Sequence, residues 1–227
     1  MIEDPVLAFA RDFSGRDPAV IAAARSFVAD PPTETEAIGY YGMKAAPPRT
    51  RAFLATVSLL DRKGFLYSAE DKYSYEIYAR WRDDGIVDPA SLSSAAKALF
   101  QPWMQDDDVD LSGAAGEAYA QTVWSLYAKA AAELEQHIAS RGRVLLSVDA
   151  TSGDTLHFAL VPPAVAHRWR DKALSEHDGY RAGVRSPMWD RFFDHMAYAV
   201  GDLWSPRGQR GYPPGTRVRN EAIPFAE

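Results

Sequence analysis

Apolar and polar positions alternate in two neighbouring stretches, 144–149 and 155–161. Strand side chains point to alternate faces. Val144, Leu146 and Val148 therefore share one face of the first stretch, and Leu156, Phe158 and Leu160 one face of the second. Pairing Val148 with Leu156, Leu146 with Phe158 and Val144 with Leu160 gathers these apolar residues on one side. That register predicts a β-hairpin whose loop is Ala150–Asp154, with Ser152-Gly153-Asp154 as turn chemistry.

Most of the remaining chain repeats with a helical period. Asp4-Pro5, Asp17-Pro18, Asp88-Pro89 and Ser186-Pro187 each place a capping oxygen before a proline, which predicts helix starts. Val20, Ile21, Ala24, Phe27 and Val28 line one predicted helix, and Phe53, Leu54, Val57 and Leu60 line another that stops at Gly64. Phe65-Leu66-Tyr67 reads as a short extended piece. Ser68-Ala69-Glu70-Asp71 resembles a capping box and predicts a helix through Tyr73, Ile77 and Trp81, ending at Gly85. The longest stripe, from Ala120 to Ile138, predicts a helix over about 117–140. A short helix with Val165 and Trp169 follows Pro162-Pro163, and a last one presents Trp189, Phe192, Phe193, Met196 and Val200. No period survives beyond Gly201. The pattern predicts a mostly helical α+β fold: one domain over 1–200, a small antiparallel sheet centred on the 144–161 hairpin, and an irregular C-terminal arm over 201–227.

Composition narrows the function classes. A chain of 227 residues, 47% apolar, can bury a full core. The net charge of −6 argues against nucleic acid and suits a basic protein partner. The absence of cysteine removes disulfides, thiol nucleophiles and Cys-ligated zinc. No run approaches the roughly 20 apolar residues of a membrane span, and the acidic start Met1-Ile2-Glu3-Asp4 is no signal peptide. The expected setting is cytoplasmic, with no membrane partner. No Gly-rich loop follows a strand, so no nucleotide cofactor is expected, nor any other cofactor.

Several constellations offer chemistry. In the register above His157 faces Ser147, with Asp149 diagonal to it, which would suit a hydrolase; mid-strand Ser147 lacks the strained elbow of an activated nucleophile. Asp106, Asp108, Asp110, Ser112 and Glu117 fall on oxygen-bearing positions of a calcium loop, but Leu111 stands where such a loop needs glycine. The histidines, His137, His157, His167, His177 and His195, form no metal-ligating spacing. Glu133 stands four residues before His137, an ordinary helix-surface pair. Tyr73, Tyr75, Tyr78 and Trp81 cannot all face one side of a helix. Part of this aromatic surface is therefore either covered by another segment, the connector around Tyr40-Tyr41 or the tail, or exposed as a partner-binding patch.

Two blocks resemble the bacterial family catalogued as domain of unknown function 6630. One is Leu59-Leu60-Asp61-Arg62-Lys63-Gly64-Phe65-Leu66, leading to Trp81; the other is the hairpin, Val161-Pro162 with its helix, and Gly179-Tyr180. The resemblance implies a small bacterial α+β domain and supplies no catalytic residue. The expected function is a non-enzymatic protein-binding module, in concrete form a bacterial immunity-type protein that neutralises a toxin by covering it. Asp106, Asp107, Asp108 and Asp110 would steer the partner, and Tyr75, Tyr78 and Trp81 would supply buried contact. The alternatives are a hydrolase using His157 and Asp149 or a metal, and a calcium-binding module through Asp106–Glu117. The oligomeric state stays open.

Overall fold

The computed structural model describes residues 3–34, 45–70, 73–93, 113–150, 155–192 and 222–227. The fold is α+β. Contacts divide it into two compact units, Met1–Ser68 with Arg143–Pro187 and Asn220–Glu227, and Ala69–Gly142 with Met188–Arg219.

In the first unit, helix α1 (Pro5–Phe13) and helix α2 (Pro18–Ala29) start at the proline positions the sequence marks. Asp4 accepts the Val6 N–H at 2.8 Å, and Asp17 accepts the N–H groups of Ala19 and Val20 at 2.8 and 3.0 Å. These bonds satisfy donors that a helix N-terminus leaves open. Helix α3 (Pro48–Arg62) again carries proline in its first turn.

The sheet has five strands: β1 (Tyr67–Glu70), β2 (Val144–Asp149), β3 (Thr155–Val161), β4 (Lys172–His177) and β5 (Tyr180–Arg185), in the spatial order β1-β3-β2-β5-β4. The pairs β2–β3, β2–β5 and β4–β5 are antiparallel. Helix α6 (Pro163–Trp169) joins β3 to β4. Val6, Phe9, Phe53, Leu54, Val57 and Leu60 of the helices pack with Leu146, Val148, Ala159, Val161, Leu174 and Val184 of the sheet in one core cluster. Trp169 closes it edge-on to Phe9 and Phe13, at ring separations of 5.9 and 6.3 Å.

The β2–β3 register differs by one residue from the expected one: Val144 pairs with Val161, Leu146 with Ala159 and Ser147 with Phe158. The cause is burial on both faces. Leu145, Ser147, Asp149, Leu156 and Phe158, outside the core cluster, are as buried as Leu146 and Val148 within it. A strand covered on both sides cannot be registered by its apolar alternation.

Two further expectations are corrected. Ser68-Ala69-Glu70 lies in strand β1 instead of capping a helix; helix α4 (Ser74–Asp83) starts later. Ser186 binds the Asp171 carboxylate through its N–H at 2.9 Å, and the following helix α7 (Trp189–Phe192) starts beyond Pro187.

The second unit holds α4, a single 3-10 turn at Pro89–Ser91, helix α5 (Gly113–Ser140) and α7. Trp81 of α4 stacks on Phe192 with ring centres 5.9 Å apart, and Trp189 donates its indole N–H to Glu135 at 2.6 Å. The segment after α4 is tied to the end of α5: the Asp88 N–H reaches His137 Nε2 at 3.2 Å, and the Ser93 N–H reaches Glu133 at 3.1 Å. No helix among the described residues is long and apolar enough to cross a membrane.

Candidate peptide-binding edge of the sheet

Strand β4 lies at one end of the sheet. An end strand turns a row of N–H and C=O groups outward, open to another extended segment. β4 and β5 form a hairpin around Asp178-Gly179, which have φ of 50° and 75°. A two-residue loop with positive φ at both positions matches the right-handed strand twist, and Asp-Gly is a favoured pair for it.

The ladder is regular from His177–Tyr180 to Ser175–Ala182, then shifts so that Ala173 faces Gly183. The additional residue, Leu174, turns its side chain into the core. Gly183 makes the shift feasible. A Cβ there would stand 2.2 Å from the Lys172 carbonyl oxygen and 2.8 Å from Ala173 Cα, so only glycine fits.

Ala173 directs both main-chain polar groups away from β5. Its N–H donates to the Pro224 carbonyl at 2.7 Å, and its C=O accepts the Ala226 N–H at 2.8 Å. The end of the chain thus lies along β4 as a parallel bridge centred on Ala173 and Phe225. The composition of this segment fits that geometry. Pro224 turns its carbonyl to β4 and lacks the N–H that would continue the ladder backwards. Ile223 is buried, whereas the Phe225 ring is 40% exposed.

Arg181 of β5 grips the same segment. Its Nη1 donates to the Ile223 carbonyl at 3.0 Å, its Nε binds the Glu176 carboxylate at 2.8 Å, and its guanidinium carbon lies 4.7 Å from the centre of the Phe225 ring. The Arg181 backbone is held from behind, because Arg185 Nη2 donates to the Arg181 carbonyl at 3.1 Å. Arg185 is itself buried and paired with buried Asp149 at 2.9 Å, and the Tyr180 hydroxyl also donates to Asp149. A carboxylate, a guanidinium and a phenol thus anchor the strand that presents Arg181.

Asp106, Asp107, Asp108 and Asp110, with most of the calcium-loop pattern, lie outside the described residues. Trp81 and Tyr78 are interior. Burial pushes the Tyr78 phenol above its usual range. Tyr75 is half-buried and stands edge-on to Tyr73, the ring of this group that is most exposed, at 42%.

His157 and Asp149 do not converge. Ser147 is opposite Phe158, so His157 leaves β3 on the face away from Ser147 and Asp149. Its Nδ1 lies 2.6 Å from the Ser68 hydroxyl of β1. His137 is engaged at both nitrogens. Ser91 donates its proton to the Asp88 carbonyl at 2.7 Å, so it accepts from Nδ1–H at 3.0 Å while Nε2 accepts the Asp88 N–H. In that bonding His137 locks a turn and cannot take a proton from Ser91. Glu133 reaches Ser93 rather than His137. His167 is exposed, His177 lies 3.3 Å from the Asp178 carboxylate, and His195 is outside the described residues. Among the described residues no group of three His, Asp or Glu stands close enough to hold a metal ion.

Sequence reading did not reach β4, β5 or the docked end of the chain. Asp178-Gly179 was the available signal for the hairpin. Comparison with known protein families, with curated proteins and with solved structures gave no match.

Proposed function

We propose that this chain is a protein-binding module that takes an extended segment of its partner onto the outer edge of β4. One observation carries the reading: the edge already holds such a segment, residues 223–226, through the N–H and C=O of Ala173. Main-chain pairing supplies affinity in strand addition, and neighbouring side chains supply selectivity. Here the selective elements are the cover over Ile223 and the Arg181 fork. The net charge of −6 favours a basic partner. An immunity-type protein that neutralises a toxin in the cytoplasm is one concrete form of such a module.

The test uses the full chain carrying Ile223→Asp, which expels the buried residue of the docked segment. Random heptapeptides are selected against it, and amide exchange is read with each selected peptide bound. Selected peptides are expected to protect the Ala173 amide. Selection of binders that all leave β4 unprotected, or of none, would contradict the reading.

A further inference from the structure

We infer that the end of this chain occupies its own recognition site, and that the segment it excludes is a partner strand reading apolar, proline, aromatic and any residue with an N–H. The inference rests on the reading above and adds the chemistry of the occupant. Each position follows from a contact. The first residue must be apolar and must offer its carbonyl as an acceptor, because Ile223 is buried while its C=O accepts from Arg181 Nη1 at 3.0 Å. The second turns its carbonyl to the Ala173 N–H at 2.7 Å and uses no N–H of its own, so proline fits without loss and arrives with its φ already set. The third points both main-chain groups away from β4, so the edge selects it by side chain alone. A flat ring suits the guanidinium 4.7 Å away. The fourth must donate to the Ala173 carbonyl, as Ala226 does at 2.8 Å, which forbids a second proline there.

The site is short by construction. Asp171, with φ of 59°, turns the chain immediately before β4, and the Ala173–Ser175 shift interrupts the edge immediately after Ala173. One bridge is what the edge offers, so a long generic strand gains little and the side-chain pattern decides. The exposed Phe225 ring marks the place where an incoming aromatic meets least cover. A tethered occupant competes at a high local concentration, so a free peptide must work against it.

The test is a titration of a dye-labelled synthetic peptide with the sequence of Asn220–Glu227, read by fluorescence anisotropy. It is run on the full native chain and on the full chain carrying Ile223→Asp. Where the aspartate disturbs folding, judged by circular dichroism, Ala226→Pro replaces it, since that change removes the donor to the Ala173 carbonyl. The peptide should bind the released chain about 10-fold or more tighter than the native chain. A peptide with aspartate at the Ile223 position should not bind. Failure of the tail peptide, while library peptides of another pattern still protect Ala173, overturns this inference and leaves the edge reading standing. Failure of every peptide at β4 removes both. Light scattering that shows a concentration-dependent dimer with exchanged ends would make a second copy the occupant and overturn the partner-strand inference.

Discussion

The middle of the sheet and its β4 edge use main chain and side chain in opposite ways. In the middle, the β2–β5 ladder is sealed by Asp149 and Arg185, both buried, 2.9 Å apart and joined by the Tyr180 hydroxyl. Each of those groups accepts one chemistry, and a buried charge without its counterpart costs several kcal/mol. At the edge, the bridge is made by the N–H and C=O of Ala173, which any extended segment in register can meet, so the side chains of the segment decide which one fits. The middle therefore specifies the fold, whereas in the proposed function the edge exchanges what it holds. Arg181 links the two regions: its backbone is anchored by Arg185, and its side chain reads Ile223 and Phe225.

The largest effect is expected in the middle. Asp149→Ala leaves the Arg185 guanidinium buried without its carboxylate and should cost about 3–5 kcal/mol in urea unfolding. Adding Arg185→Met should recover most of that loss, because removing both charges spares the desolvation. A double variant no more stable than Asp149→Ala would show that the pair is not the seal. Next comes Gly183→Ala, where a methyl would meet the Lys172 carbonyl at 2.2 Å. It should cost about 1–3 kcal/mol and loosen the docked segment as well. Ile223→Asp should cost only about 1 kcal/mol in global stability. The burial of one isoleucine, about 1.5–3 kcal/mol, is lost, and the backbone freedom that the released segment regains offsets part of it. Smallest is Arg181→Ala. A cation–π contact at an exposed site contributes about 0.5–1 kcal/mol, so tail-peptide affinity for the released chain should fall about 2- to 5-fold with unfolding nearly unchanged.

The same division explains what could be read from the chain. Asp4-Pro5 and Asp17-Pro18 were legible because a cap and a first-turn proline act locally. Asp88-Pro89 carries the same signal yet yields a single turn, since the segment is committed to Glu133 and His137 of α5. The existence of the β2–β3 hairpin was legible and its register was not, because Phe158 and Ala159 are both buried. Strands β4 and β5 escaped because Lys172–His177 and Tyr180–Arg185 mix charged and small residues. Only Asp178-Gly179 announces them. The candidate edge was illegible for a deeper reason. Its key groups are the main chain of Ala173, which every residue type possesses, and their orientation depends on a ladder shift that Gly183 permits. Trp81 illustrates the converse: an aromatic suited to an interface is stacked on Phe192 in the interior.

The central claim is that the docked end opens independently of the sheet behind it. Native-state amide hydrogen exchange on the unaltered chain, followed at rising sub-denaturing urea, tests it most directly. The Ala226 amide should exchange with a low opening free energy that barely depends on urea, as for a local opening. The amides of the β2–β5 ladder should exchange only through the global, urea-sensitive unfolding. If Ala226 instead shares the free energy and the urea slope of that ladder, the segment is a permanent part of the sheet and the β4 edge is closed to any partner.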